Sequence, residues 1–134
     1  MSQANVEIAR NGFTALSERG VTAAAEFWHP AINWRAMEGA PDDVGEMNGI
    51  EAALRYVQDW FDTFDDFKSE PEELLDVDGD QVVAVIHITG RAKLSGLPTE
   101  LRYASVSTIR DGKIVRVREY ATKAEALKAV GLEP

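Results

Sequence analysis

The sequence predicts an α+β fold: a cone-shaped, curved antiparallel sheet wrapped around a long helix, with two shorter N-terminal helices and a short C-terminal helix. Three observations carry this reading. Apolar residues recur at helical spacing through the first half of the chain. After Phe67 the apolar period shortens to that of a strand, and four extended runs follow, divided by turn residues. A capped helical run then closes the chain. Helices gathered on one face of a curved antiparallel sheet form an α+β architecture, and a cone opens between them.

Each element has its own signal. Val6, Ala9, Phe13 and Leu16 mark the first helix, and Gly20 its stop. Thr22 is placed to cap a short second helix, AAAEFW, which ends before Pro30. AINWR reads as a brief extended segment. Residues 36–49, with three glycines and a proline, read as a loop. GIEAALRYVQDWFDTF is the long helix. Ile50, Ala53, Leu54, Val57, Trp60, Phe61 and Phe64 form its apolar stripe, and Glu51, Arg55, Asp59 and Asp62 solvate the opposite face. FKSEPEELLDV, QVVAVIHITGRAKL, TELRYASVSTIR and KIVRVREYA are the four strands. Asp78-Gly79 and Asp111-Gly112 form two hairpin turns, and SGLP makes the third connection. Pro71 removes a ladder donor, which puts its strand at an edge or in a bulge. Thr122 to Glu125 is a capping box opening the last helix, and Gly131 ends it.

Composition narrows the function. The 134 residues suffice for one domain, 1–134, with no repeat or linker. The absence of cysteine excludes disulfides, thiol catalysis and cysteine-ligated zinc, and fits a reducing cytoplasm. The N-terminus lacks a basic start followed by an apolar run, and no stretch approaches the roughly 18 apolar residues of a membrane span. A cytoplasmic, unprocessed chain with no membrane partner is expected. A net charge of −9 with no basic stripe argues against nucleic acid.

Alternation divides each strand into two sets. In the second strand Val83, Val85, His87, Thr89 and Arg91 oppose Val82, Ala84, Ile86 and Ile88; in the last, Val115, Val117, Glu119 and Ala121 oppose Ile114, Arg116, Arg118 and Tyr120. No set is plainly polar, so both sides of the sheet should be covered. The helices cover one. A second copy of the chain is expected on the other, giving a homodimer through a face carrying Ile86, Ile88 and Val106.

AEFWHPAINWR, NGIEAALRYVQDWFDTFDDF, IRDGKIVRVREY and KAEALKAVGL together resemble the SnoaL-like branch of the nuclear transport factor 2-like superfamily. The resemblance spans nearly the whole chain and implies the cone fold. It does not choose among the isomerases, dehydratases, epoxide hydrolases, polyketide cyclases and non-catalytic binders built on that fold. Ketosteroid isomerase-like members use a tyrosine and an aspartate where this sequence has Phe13 and Arg35, and no carboxylate stands at the centre of TELRYASVSTIR. Limonene epoxide hydrolase-like members use an aspartate–arginine–aspartate set. The correspondence puts those positions on His87, Val85 and Glu119, one carboxylate retained and the set incomplete. It also implies that His87 and Glu119 face inward together.

His87 and Glu119 are therefore the candidate catalytic residues, a histidine–carboxylate pair able to position an imidazole for proton transfer. A hydrogen-bonded pocket histidine with no chemistry is the alternative. Trp34, Arg35, Trp60, Tyr103, Val85 and Val117 are candidate substrate-binding residues. Trp34 and Arg35 have opposite parity and equal claims to face inward, and Tyr103 also suits a core position. His29 is placed to cap a helix C-terminus. Asp62, Asp65 and Asp66 read as a solvated face rather than a metal site, and neither metal nor cofactor is expected. Three functions fit: a cofactor-independent acid–base enzyme on a small hydrophobic molecule, a non-catalytic binder of such a molecule, and a dimerising scaffold with a filled cavity.

Overall fold

The computed structural model describes residues 2–37, 45–77 and 79–132. Helix α1 (Ser2–Arg19) and the short α2 (Val21–Ala24) lead through a single 3₁₀ turn (Ala25–Phe27) into strand β1 (Trp28–Arg35). Strand β2 (Glu46–Asn48) and helix α3 (Ile50–Thr63) precede the meander of β3 (Phe64–Val77), β4 (Gln81–Ala92), β5 (Pro98–Arg110) and β6 (Lys113–Tyr120). Helix α4 (Lys123–Ala129) follows. The six strands form one curved, open sheet in the order β2-β1-β6-β5-β4-β3.

The α+β cone is as expected, with four local differences. The longest helix is α1, at 18 residues, against 14 for α3. The second helix starts after Gly20, whose φ of 92° suits glycine, and Thr22 lies within it rather than capping it. The extended segment begins at Trp28 and joins the sheet beside β6 in parallel, so one pair in the sheet is not antiparallel. The expected loop contains β2, paired with the end of β1; its residues 38–44 lie outside the described residues, as does Asp78 of the first hairpin turn.

The turns and caps follow their chemistry. Asp111 and Gly112 both take positive φ, 50° and 78°, as a two-residue hairpin loop with the twist of its strands requires. Pro71 sits on edge strand β3 at a register shift, so both consequences of its missing N–H are met. Thr122 Oγ1 accepts from Glu125 N at 3.2 Å, and Glu125 Oε2 accepts from Ala121 N at 3.2 Å, a capping box displaced by one residue.

Two apolar clusters lie on opposite sides of the sheet. Ile32, Val82, Ile109 and Val117 pack beneath α1 and α3 on the inner side. On the outer side Val83, Ala104 and Val106 pack against Ala126, with Leu127 and Val130 beside them, so α4 covers that part of the sheet. This corrects the expected dimer face. Ile86 and Ile88 belong to the inner side with Phe13, Leu101 and Tyr103, and Val106 lies in the cluster that α4 shares. Val83, Ala104 and Val106 on the outer side are covered by the chain's own last helix.

Candidate functional site

A cavity of ≈ 270 Å³ opens between helices and sheet. Helix α1 lines it with Ala9, Phe13 and Leu16, and α3 with Tyr56, Val57 and Trp60. Alternation on the strands supplies the rest: Trp28 and Trp34 from β1, Ile86 and Ile88 from β4, Leu101, Tyr103 and Ser105 from β5, Val117 and Glu119 from β6. The walls are mostly hydrocarbon and aromatic, with a few polar groups among them.

Glu119 is the charged group among them, and it is only 8% exposed. A buried carboxylate requires donors. Tyr56 supplies its hydroxyl to Oε1 at 2.6 Å, and Trp34 donates its indole N–H to Oε2 at 3.3 Å. The donors are held by their rings. Trp28 meets Trp34 edge-on at 5.2 Å, and Tyr56 tilts against Trp34 at 6.1 Å. Glu119 itself stands opposite Ser105 in the β5–β6 ladder, two positions along from Val117 on the same face.

Tyr103, opposite Ile86 in the β4–β5 ladder, points into the same space. Burial first, and then the nearby Glu119 charge and Tyr56, push its pKa well above the ordinary tyrosine value. Tyr103 is accordingly a neutral O–H donor, and among the described residues none accepts its hydroxyl proton. The cavity thus places a proton acceptor, Glu119, near an uncommitted donor, Tyr103, inside an apolar enclosure.

The expected pairing of His87 with Glu119 is not made. His87 lies on the outer face, where Nε2 meets Glu100 Oε2 at 2.6 Å, beside the Arg102–Glu72 pair at 2.8 Å. Val85 shares that face by parity and is absent from the cavity lining. Strand alternation is the reason: Ile86 and Ile88 point inward, so His87 between them points out. Arg35 is also outside, in a separate cleft, because its neighbour Trp34 takes the inward position. Trp34, Trp60, Tyr103, Val117 and Glu119 line the cavity as expected positions. His29 caps no helix; its Nδ1 accepts from Ala31 N at 2.9 Å within β1.

Tyr56 was not among the expected residues. Its signal was present: it follows Ala53 by three residues and precedes Trp60 by four, at the border of the α3 apolar stripe. An aromatic ring there packs inward while its hydroxyl seeks a partner. Asp62, Asp65 and Asp66 are exposed, and among the described residues no group of three or more metal-ligating side chains converges. Among them, too, no helix is long and apolar enough to cross a membrane.

A family model for the SnoaL-like domain matches residues 9–117. The chain belongs to the SnoaL-like family. Solved structures agree on the fold of this SnoaL-like protein. A candidate isomerase from Bacillus subtilis is 23% identical, with a TM-score of 0.75 over 96% of this chain and 92% of its own. A candidate SnoaL-like polyketide cyclase from Jannaschia sp. CCS1 is 20% identical, with a TM-score of 0.75 over 99% of this chain and 95% of that one. TerC, co-crystallised with polyporic acid, is 20% identical, with a TM-score of 0.75 over 95% and 97%. No curated protein matches the sequence.

Proposed function

We propose that this SnoaL-like protein takes a small, largely apolar carbonyl compound into the cone and moves a proton on it. The observation that carries the reading is the buried carboxylate of Glu119 in an apolar cavity shared with the Tyr103 hydroxyl, which has no acceptor among the described residues. Glu119 removes a proton from the carbon beside the carbonyl. The C–H bond breaks, an O–H bond forms on the carboxylate, and the electron pair moves onto the carbonyl oxygen. Tyr103 donates a hydrogen bond to that oxygen as its charge develops, in a setting where water does not compete. Return of the proton to a different carbon completes an isomerisation or sets up a ring closure. Tyr56 and Trp34 position the carboxylate. The candidate isomerase and cyclase among the structural neighbours support this reaction class, and the open volume favours it over a filled scaffold.

The test uses β-tetralone, a small apolar ketone with acidic C–H bonds. Incubation in deuterium oxide, followed by proton NMR, should show exchange beside the carbonyl faster than in buffer. Glu119→Gln should abolish the acceleration while thermal shift still reports binding. Binding without accelerated exchange in the wild type would leave the protein a binder of such molecules. No binding of tetralone or of naphthol would remove the cone as a ligand site.

A further inference from the structure

Strand β5 reverses the usual alternation, in which hydrocarbon faces the core and polar groups face away. Over YASVS its inward residues are Tyr103, Ser105 and Ser107, which line the cone. Its outward residues are Ala104 and Val106, which pack with Ala126 of α4. Both neighbouring strands hold this register. Ser105 stands between Ala84 of β4 and Glu119 of β6, and Ser107 between Val82 and Val117. A slip of one residue would turn Ala104 and Val106 into the cone and the hydroxyls out of it.

Hydrogen bonds within the chain do not account for the row. Ser105 is only 3% exposed, yet among the described residues its hydroxyl has no partner, and the Ser107 hydroxyl has none either. Among the described residues, Asn33 Oδ1 is the one side-chain atom that is sealed off without a partner. Ser105 Oγ therefore keeps a little open surface, and that surface is cavity wall. Space does not account for it either, because alanine would leave more room without a polar group to satisfy. A buried hydroxyl costs stability unless it is hydrogen-bonded, and each serine offers one donor and acceptor lone pairs.

We propose that Ser105 and Ser107 read a second oxygen on the molecule held in the cone, so that the substrate is an oxygenated ketone rather than a simple one. The second oxygen is a hydroxyl or a further carbonyl on the edge that faces β5. The inference rests on the reading of the cone as a ligand site and adds the residues that choose the ligand. Inward residues of one strand stand about 7 Å apart, so the row meets successive positions along that edge. Tyr103 meets the carbonyl being activated, and a serine meets the second oxygen. A ligand without that oxygen cuts the serine hydroxyls off from solvent and gives them no partner, so the site discriminates against it.

Titration calorimetry with β-tetralone and its ring-hydroxylated derivatives, one for each free aromatic position, tests the row. At least one derivative should bind about five- to tenfold more tightly than β-tetralone. Ser105→Ala or Ser107→Ala should remove that gain while leaving β-tetralone affinity unchanged; retained β-tetralone binding also reports that each variant is folded. Equal affinity of β-tetralone and every derivative, or a gain that survives both substitutions, would overturn the serine row and leave the cone reading intact. Failure of β-tetralone and all its derivatives to bind would remove the cone as a ligand site, and the inference with it.

Discussion

Ile86 and His87 are neighbours in β4 that report two different environments. Ile86 is 1% exposed and faces the cone, whereas the His87 side chain is 24% exposed and paired with a Glu100 that is 61% exposed. The same contrast recurs in β6, where Glu119 is buried among aromatic donors and Arg118 faces a charged cleft. Ionic groups on the outer face keep access to water, so their pairing changes little. On the inner face the Glu119 carboxylate needs every donor it has, because burial without them is costly. Polar residues on the inside are thus candidates for function, and those on the outside are mainly surface chemistry.

Substitutions in both environments would break this contrast if it is wrong. Ile86→Ala should have the largest effect, destabilising the fold by about 2–4 kcal/mol in chemical denaturation, since it removes a buried side chain. Tyr56→Phe should cost about 1–3 kcal/mol, because Glu119 stays buried with one donor fewer; no loss would mean that the carboxylate is better hydrated than its position indicates. Thr122→Ala should cost about 1 kcal/mol through the lost cap. It should leave β-tetralone binding in the cone unchanged, because α4 packs on the other side of the sheet. His87→Gln should be smallest, below about 1 kcal/mol, as for other exposed ion pairs. A loss of tetralone exchange in that variant would restore His87 to the mechanism.

The order of elements was legible because it rests on local chemistry: the α3 stripe, the Asp111-Gly112 turn, the Pro71 bulge and the Thr122 cap each declare themselves within a few residues. The facing of the strands was not. VVAVIHIT is apolar in both of its sets, since α1 and α3 cover one side and α4 the other, so the usual polar-out signal is missing. Nothing local then decides which set faces inward, and a shift of one residue exchanges Ile86 with His87. Glu119 lines the cavity because the alternation of β6 puts it on the same face as Val117. Tyr56 was passed over because a helix-face pattern sorts residues as apolar or polar, and a tyrosine at the border is both.

The 14 residues of β3 form the edge strand at one end of the sheet, where Ser17 Oγ donates to the Ser69 carbonyl at 2.8 Å, whereas β2 at the other end has three. Such an edge is a template on which a second chain can add strands. Here it is interrupted at Asp65–Lys68 and Pro71–Glu73, and it carries Asp65, Asp66, Glu70, Glu72, Glu73 and Asp76 against the single cation Lys68. Like charges along an edge strand disfavour the pairing of one edge with another. Acidification that protonates them should let edges pair, so light scattering should rise on the acid side and rise sooner when Pro71 and its neighbouring glutamates are replaced by threonine.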